Sequence, residues 1–229
     1  MLDVKNLNVA YGQSQVLHGI ELAVEPGEIA AVVGRNGMGK STLMKSLIGV
    51  VPAKSGQVMV DGADVTALPS YARVARGLAY VPQGRQIFGT MTVRENIEAG
   101  LVVTGRSRVP EEIYGLFPIL KEFDKRRGGN LSGGQQQQLA IARALASEPK
   151  VLLLDEPTEG IQPSIIKDIA RLLKEIRKAR NLCIVVSEQV LSFVLEIADR
   201  ILVMENGRIV HSDRRESADE AAIARFLAV

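Results

Sequence analysis

Apolar residues recur along this chain in two rhythms, and the change from one to the other marks its parts. Residues 2–9 alternate loosely between apolar and polar, as a half-buried strand does, and Val16 to Val24 suggest another strand. Glu25-Pro26-Gly27-Glu28 breaks the pattern. Ile29-Ala30-Ala31-Val32-Val33 is then apolar throughout, which reads as a buried strand, and Thr42 to Ile48 reads as the first turns of a helix. Pro52 to Gly56 is a turn, Gln57 to Val60 a short strand, and Asp61-Gly62 a tight hairpin turn. Tyr71 to Arg76 forms a short predicted helix ended by Gly77. Leu78 to Val81 is a strand stopped by Pro82. This first region mixes antiparallel strands with one parallel unit.

The next stretch shows no strand pattern. Val93 to Val103 and Pro110 to Phe123 are predicted helices, separated by Gly105 and followed by the charged patch Lys121 to Arg127, read chiefly as a solvated face. A further helix opens at Leu131-Ser132-Gly133-Gly134-Gln135 and reaches Ala146. A helical subdomain over about 84–148 is therefore expected, inserted within one domain spanning 1–229. Beyond it, strand and helix alternate. Val151 to Leu154 and Leu182 to Val186 are buried strands. Ser164 to Ala179 is amphipathic, with Ile165, Ile166, Ile169, Leu172, Leu173 and Ile176 at helical spacing. Val190 to Ala198 is a short helix. Ile201 to Met204 and Arg208 to Val210 bracket a hairpin at Glu205-Asn206-Gly207, and Ser217 to Val229 closes the chain as a helix. The expected class is α/β, layered on a sheet.

Composition narrows this picture. With 229 residues, 46% of them hydrophobic, the chain can bury a sizeable core. Its 28 basic and 26 acidic residues leave a net charge of +2, which gives no general pull toward nucleic acid. Cys183, the one cysteine, sits in an apolar run as a small buried hydrophobe, so no disulfide framework is expected. No run approaches the roughly 18 apolar residues of a membrane span, and Asp3 and Lys5 interrupt any leader-like start. A cytoplasmic location is expected, with membrane association only through a partner.

The chemistry centres on Gly34-Arg35-Asn36-Gly37-Met38-Gly39-Lys40-Ser41, followed by Thr42. It fits G-x-x-x-x-G-K-[ST] and lies between a strand and a helix, as a phosphate-binding loop must. Glycines let the backbone turn its N–H groups inward, and the helix start adds unpaired donors. Lys40 can reach the β and γ phosphates, and Ser41 can place its hydroxyl on Mg²⁺. Asp155 ends the strand Val151 to Leu154, where ligands bind in open α/β sheets, and can hold the metal. Glu156 follows and is placed to act on attacking water. Gln83, just past Pro82, could touch metal and water, or simply cap a solvated turn. Ser132 and its two glycines make a second anion-binding helix start. Two such ends with one phosphate loop fit two chains stacked head to tail, each lending Ser132 and Gly134 to the other's nucleotide.

Taken together, the phosphate loop, Gln83, Leu131-Ser132-Gly133-Gly134-Gln135 and Leu152-Leu153-Leu154-Asp155-Glu156 occur in the order of the ATP-binding subunit of an ABC transporter, which the sequence resembles over essentially its whole length. The resemblance implies a RecA-like P-loop NTPase core, an antiparallel β-lobe, a helical subdomain, ATP with Mg²⁺, and an ATP sandwich dimer. It also implies docking on transmembrane permease subunits, with indirect coupling to an external solute-binding protein. By the family pattern Tyr11 would stack on adenine; read alone, it is equally a packed surface aromatic.

Two departures from the common family pattern are informative. Gln189, in Val186-Ser187-Glu188-Gln189, stands where many relatives carry histidine, while His18 and His211 lie elsewhere. Its amide can donate to a γ-phosphate but carries no charge, so hydrolysis is expected to persist with little pH dependence from this position. Thr158-Glu159-Gly160-Ile161-Gln162-Pro163 and Glu188-Gln189 resemble the branched-chain amino acid and urea import subgroup; within it the stretch Gly34 to Lys40, the glutamines 135–138 and the run Thr158 to Ile166 look most like the urea-type ATPase. Branched-chain amino acid import is the alternative. An ABC-type ATPase acting on nucleic acid or ribosomes is a third reading. It is disfavoured because the chain has no coiled-coil insertion, second nucleotide domain or basic stripe.

Overall fold

A computed structural model describes residues 1–227 of the chain. Two sheets are built from ten strands. The first is antiparallel, in the order β2-β1-β4-β5, from β1 (Leu2–Tyr11), β2 (Ser14–Val24), β4 (Ser55–Val60) and β5 (Ala63–Asp64). The second runs β10-β9-β3-β8-β7-β6. It comprises β3 (Ile29–Val33), β6 (Leu78–Val81), β7 (Val151–Asp155), β8 (Cys183–Glu188), β9 (Arg200–Glu205) and β10 (Arg208–Arg214). All neighbours in it are parallel except the β9–β10 hairpin. The inner strands β3, β7 and β8 are buried at every position, which explains the apolar runs that precede the polar ends of β7 and β8. This is the α/β P-loop fold expected, with its antiparallel lobe.

Helix α1 (Lys40–Leu47) lies between the sheets. Leu43, Met44 and Leu47 share one core with Val4, Leu17 and Val58 of the lobe and Val32, Leu153 and Val185 of the parallel sheet. Its C-terminal carbonyls are held by Arg73 from α2 (Ser70–Ala75). That guanidinium is buried and donates to Ser46 O and Leu47 O, both at 2.8 Å, to Leu68 O at 2.9 Å and to Thr66 O at 2.6 Å. Burial also lowers the Arg73 pKa. Replacing it by a shorter apolar chain strands these carbonyls. Arg73→Met is expected to lower unfolding free energy by about 3 kcal/mol; a denaturation midpoint equal to wild type would show that water replaces the guanidinium freely.

Between β6 and β7 the chain forms the helical insert. It contains α3 (Val93–Gly100), α4 (Glu111–Leu116), α5 (Pro118–Glu122) and α6 (Gly133–Ala146), and α3 packs on α6. Thr92 and Glu95 make a reciprocal capping box at the start of α3. The helix expected over Val93 to Val103 tightens into a 3₁₀ turn at Leu101–Val103. The single helix expected over Pro110 to Phe123 is two. Phe117 precedes Pro118 and takes φ −129°, ψ 67°, because the proline ring crowds a helical predecessor. The charged patch at 121–127 is partly consumed inside the insert. Asp124 ion-pairs with Arg94 and accepts from the Tyr114 hydroxyl, and Lys121 pairs with Glu111 at 2.7 Å.

The parallel sheet is completed by α7 (Pro163–Arg180) and α8 (Leu191–Ile197). The expected closing helix begins later, as α9 (Glu220–Leu227), after a 3₁₀ turn at Arg215–Ser217; its expected last two residues lie outside the described ones. Cys183 is buried in the lobe-side core, as expected of it. No described helix is long and apolar enough to cross a membrane.

Candidate functional site

The site forms where the carboxyl ends of β3, β7 and β8 meet. Register sets this up: Val33 pairs with Glu188, and Asp155 with Ser187. Each strand then hands its last residues to one hollow, the place where open α/β sheets bind ligands. The loop after β3 returns through Gly37 and Gly39 at φ 81° and 106°, conformations an L side chain rarely adopts, and α1 starts at Lys40. Gly34 answers a different constraint. A Cβ there would lie 2.4 Å from the Met204 carbonyl oxygen of β9.

Val16, Asn36, Gly37, Gly39, Lys40, Ser41, Thr42, Gln83 and Glu156 line this pocket. The Lys40 ammonium is buried and donates to Gly34 O at 2.8 Å and Arg35 O at 3.1 Å. It also lies 3.3 Å from Glu156 Oε1. Glu156 occupies the left-handed region at φ 47°, with its N–H on Ser187 O at 3.0 Å, which swings its carboxylate off the strand line and over the loop. The Gln189 amide donates to Glu156 Oε1 and Asn36 Oδ1, both at 2.8 Å, and Gln83 reaches Glu156 Oε2 at 3.4 Å. The structure thus brings Lys40, Gln83, Glu156 and Gln189 onto one point.

Asp155 sits one layer deeper. Its Oδ1 accepts from Ser41 Oγ at 3.1 Å and Ser187 Oγ at 2.6 Å, and its Oδ2 from Tyr80 OH at 3.1 Å. Burial pushes the Tyr80 phenol up and Asp155 adds to the rise, so Tyr80 remains a donor. Ser41 lines the pocket and Asp155 lies buried directly behind it, a hydroxyl and a carboxylate whose hard oxygens suit Mg²⁺. Gln83 faces Glu156 rather than Asp155 here.

Several expected nucleotide-binding residues do not line this pocket. Tyr11 is half exposed where β1 turns into β2, opposite Ser14, and Val16 supplies the lobe-side wall instead. Arg35 contributes its carbonyl to Lys40 and leaves its side chain exposed. Met38 packs against the lobe core, where Asn206 N–H meets its sulfur at 3.3 Å. Ser132, Gly133, Gly134 and Gln135 do not line the pocket either. They form the start of α6, where Ser132 and Gln135 cap each other, Ile165 packs on Gly134, and Arg85 lies against Gly133.

Sequence patterns did not flag Tyr80, Ser187 or Arg85, and marked Glu188 only by resemblance. Arg85, at φ 66°, donates to Glu159 O at 3.1 Å and Gly160 O at 3.3 Å, tying the Gln83 loop to the segment after Glu156. These contacts span more than thirty to over seventy positions, and no local signal encodes them.

With this geometry in place, comparison with known proteins is decisive. Residues 17–159 match the family model described as ABC transporter. The chain belongs to the ABC transporter family. It is the ATP-binding and hydrolysing subunit of such a system, the part that couples to a membrane permease. This ABC subunit is 41% identical over 216 residues to the high-affinity branched-chain amino acid transport ATP-binding protein BraG of Pseudomonas aeruginosa, covering 93% of this chain and 92% of that one. It is 37% identical over 212 residues to the probable branched-chain amino acid transport ATP-binding protein LivF of Archaeoglobus fulgidus, covering 91% and 90%. Among solved structures it resembles the ATP-binding cassette MJ0796 in a dimeric post-hydrolysis state bound to ADP and Pi. The TM-score is 0.84 at 25% identity, over 94% of this chain and 99% of that one.

Proposed function

We propose that this ABC subunit powers import of branched-chain amino acids through a separate permease, from the cytoplasmic face of the membrane. The observation that carries this is the 41% identity to BraG along nearly both whole chains. It supports the amino acid reading over the urea reading that motif likeness favoured, since the short variable stretches behind the latter touch no solute.

In the proposed cycle Lys40 and the 34–39 backbone bind the β and γ phosphates, and Ser41 and Asp155 would hold Mg²⁺. That ion would neutralise phosphate charge. Glu156 accepts a proton from the attacking water, with Gln83 and Gln189 orienting water and γ-phosphate. Ser132, Gly133, Gly134 and Gln135 meet the nucleotide of a second ATPase subunit, a sister chain or another copy, stacked head to tail. Their place outside this chain's own pocket and the dimeric state of MJ0796 support that arrangement. Tyr11, exposed beside the lobe-side wall, is free to stack on adenine.

The test is uptake of labelled leucine and labelled urea by cells lacking this gene, with rescue by wild type or Lys40→Ala. Leucine uptake is expected to fall and return only with wild type. Loss of urea uptake alone would restore the urea assignment.

A further inference from the structure

Glu188 is a buried carboxylate next to the site, and none of the chemistry above uses it. It ends β8, one residue after Ser187 and one before Gln189. Its Oε1 accepts from Thr158 N at 3.0 Å and from the Thr158 hydroxyl at 2.5 Å. Its Oε2 accepts from Gln189 N at 2.8 Å and Val190 N at 3.1 Å. Four donors thus converge on one carboxylate, from two segments thirty positions apart. Burying a charge gives poor stability compared with an apolar side chain of the same size. Its neighbours Val185 and Val186 fill their own positions with apolar chains.

We infer that Glu188 is a positioning residue for ATP hydrolysis: it pins the Gln189 backbone to the Thr158 turn, so that the Gln189 amide bridges Asn36 and Glu156. The inference rests on the hydrolytic site proposed above and deepens it. The chemistry requires a carboxylate rather than an amide. Gln189 N and Val190 N can only donate, and so can Thr158 N; of the four partners only the Thr158 hydroxyl can reverse. A glutamine amide at 188 would turn its NH₂ toward at least one backbone N–H. With its oxygen kept on Gln189 N and Val190 N, that NH₂ faces Thr158 N–H; turned the other way it faces Gln189 and Val190 N–H. Either way the tie between the Gln189 backbone and the Thr158 turn is broken on one side, and the Gln189 amide is no longer fixed on the two oxygens it bridges at 2.8 Å.

The experiment is steady-state hydrolysis by the full chain, titrated with Mg-ATP, for Glu188→Gln, Thr158→Val and Gln189→Ala and for the first two each combined with Gln189→Ala. Gln189→Ala is expected to lower kcat about tenfold, and Glu188→Gln about as much, with KM within about twofold. Thr158→Val should lower kcat about threefold, because Oε1 keeps the Thr158 N–H. In the Gln189→Ala background both effects should shrink to less than about twofold, because their route has been removed. Equal fold-losses in the two backgrounds, or an unchanged kcat for Glu188→Gln, overturn the inference. If Glu188→Gln does not fold, the Thr158→Val cycle reads the same coupling. A reduced Gln189→Ala with a normal Glu188→Gln overturns only the Glu188 role. An unaffected Gln189→Ala overturns the proposed role of Gln189 as well.

Discussion

Glu156→Gln should abolish most turnover while leaving ATP bound. The carboxylate lies 3.3 Å from the Lys40 ammonium and receives the Gln189 and Gln83 amides, so its position over the loop is fixed by three partners. An amide keeps the size and most of the contacts but cannot accept a proton from water. A loss in kcat of about a hundred- to a thousandfold is expected. Because ATP stays bound and is not hydrolysed, it should also hold the variant in the head-to-tail pair proposed above. Single-turnover hydrolysis and size-exclusion chromatography with and without ATP read both effects. A variant turning over near the wild-type rate would remove Glu156 from the role of base.

Gly34→Ala should damage the fold itself. The added methyl would sit 2.4 Å from the Met204 carbonyl oxygen and 3.4 Å from its carbon, and that backbone belongs to a strand hydrogen-bonded to β3. No rotamer change relieves a clash with main chain, so β3 and β9 must separate just where the phosphate loop departs. About 3 kcal/mol is expected, equivalent to a fall in Tm of roughly 6–12 °C for a domain of this size. Thermal unfolding followed by circular dichroism checks it. A Tm within about 2 °C of wild type would mean that the strands spread at little cost.

Where chemistry is written in contiguous residues, the sequence was legible. The phosphate loop, the Asp155-Glu156 pair and the Ser132 helix start each occupy one short run whose flanks confirm it, and the structure places strand, loop and helix around the first as expected. Strands β3, β7 and β8 were legible for the same reason, since burial on both faces leaves their bodies apolar and confines polar residues to the carboxyl ends of β7 and β8. What could not be read depends on register. Asp155 meets Ser187 because β7 and β8 pair in one particular alignment, and meets Tyr80 because β6 lies beside β7. A two-residue slip would preserve the apolar pattern and lose both contacts. At Phe117 two signals compete: Pro118 marks a break, while the apolar spacing continues across it as one helix would. Tyr11 and Met38 show a different limit: motif membership says where a residue lies along the chain, not which way its side chain turns.

The seating of α1 carries a mechanical consequence. Wedged between two sheets and stapled at its far end by Arg73, this helix ties the lobe and the parallel sheet into one packed body. The helical insert, by contrast, leaves the sheet after β6 and rejoins it before β7, and the Gln83 loop is its first link. The stretch from Gln83 to Arg85 is thus where the pocket and the insert share a backbone: Gln83 touches Glu156 at one end of it, and Arg85 holds Glu159 and Gly160 at the other.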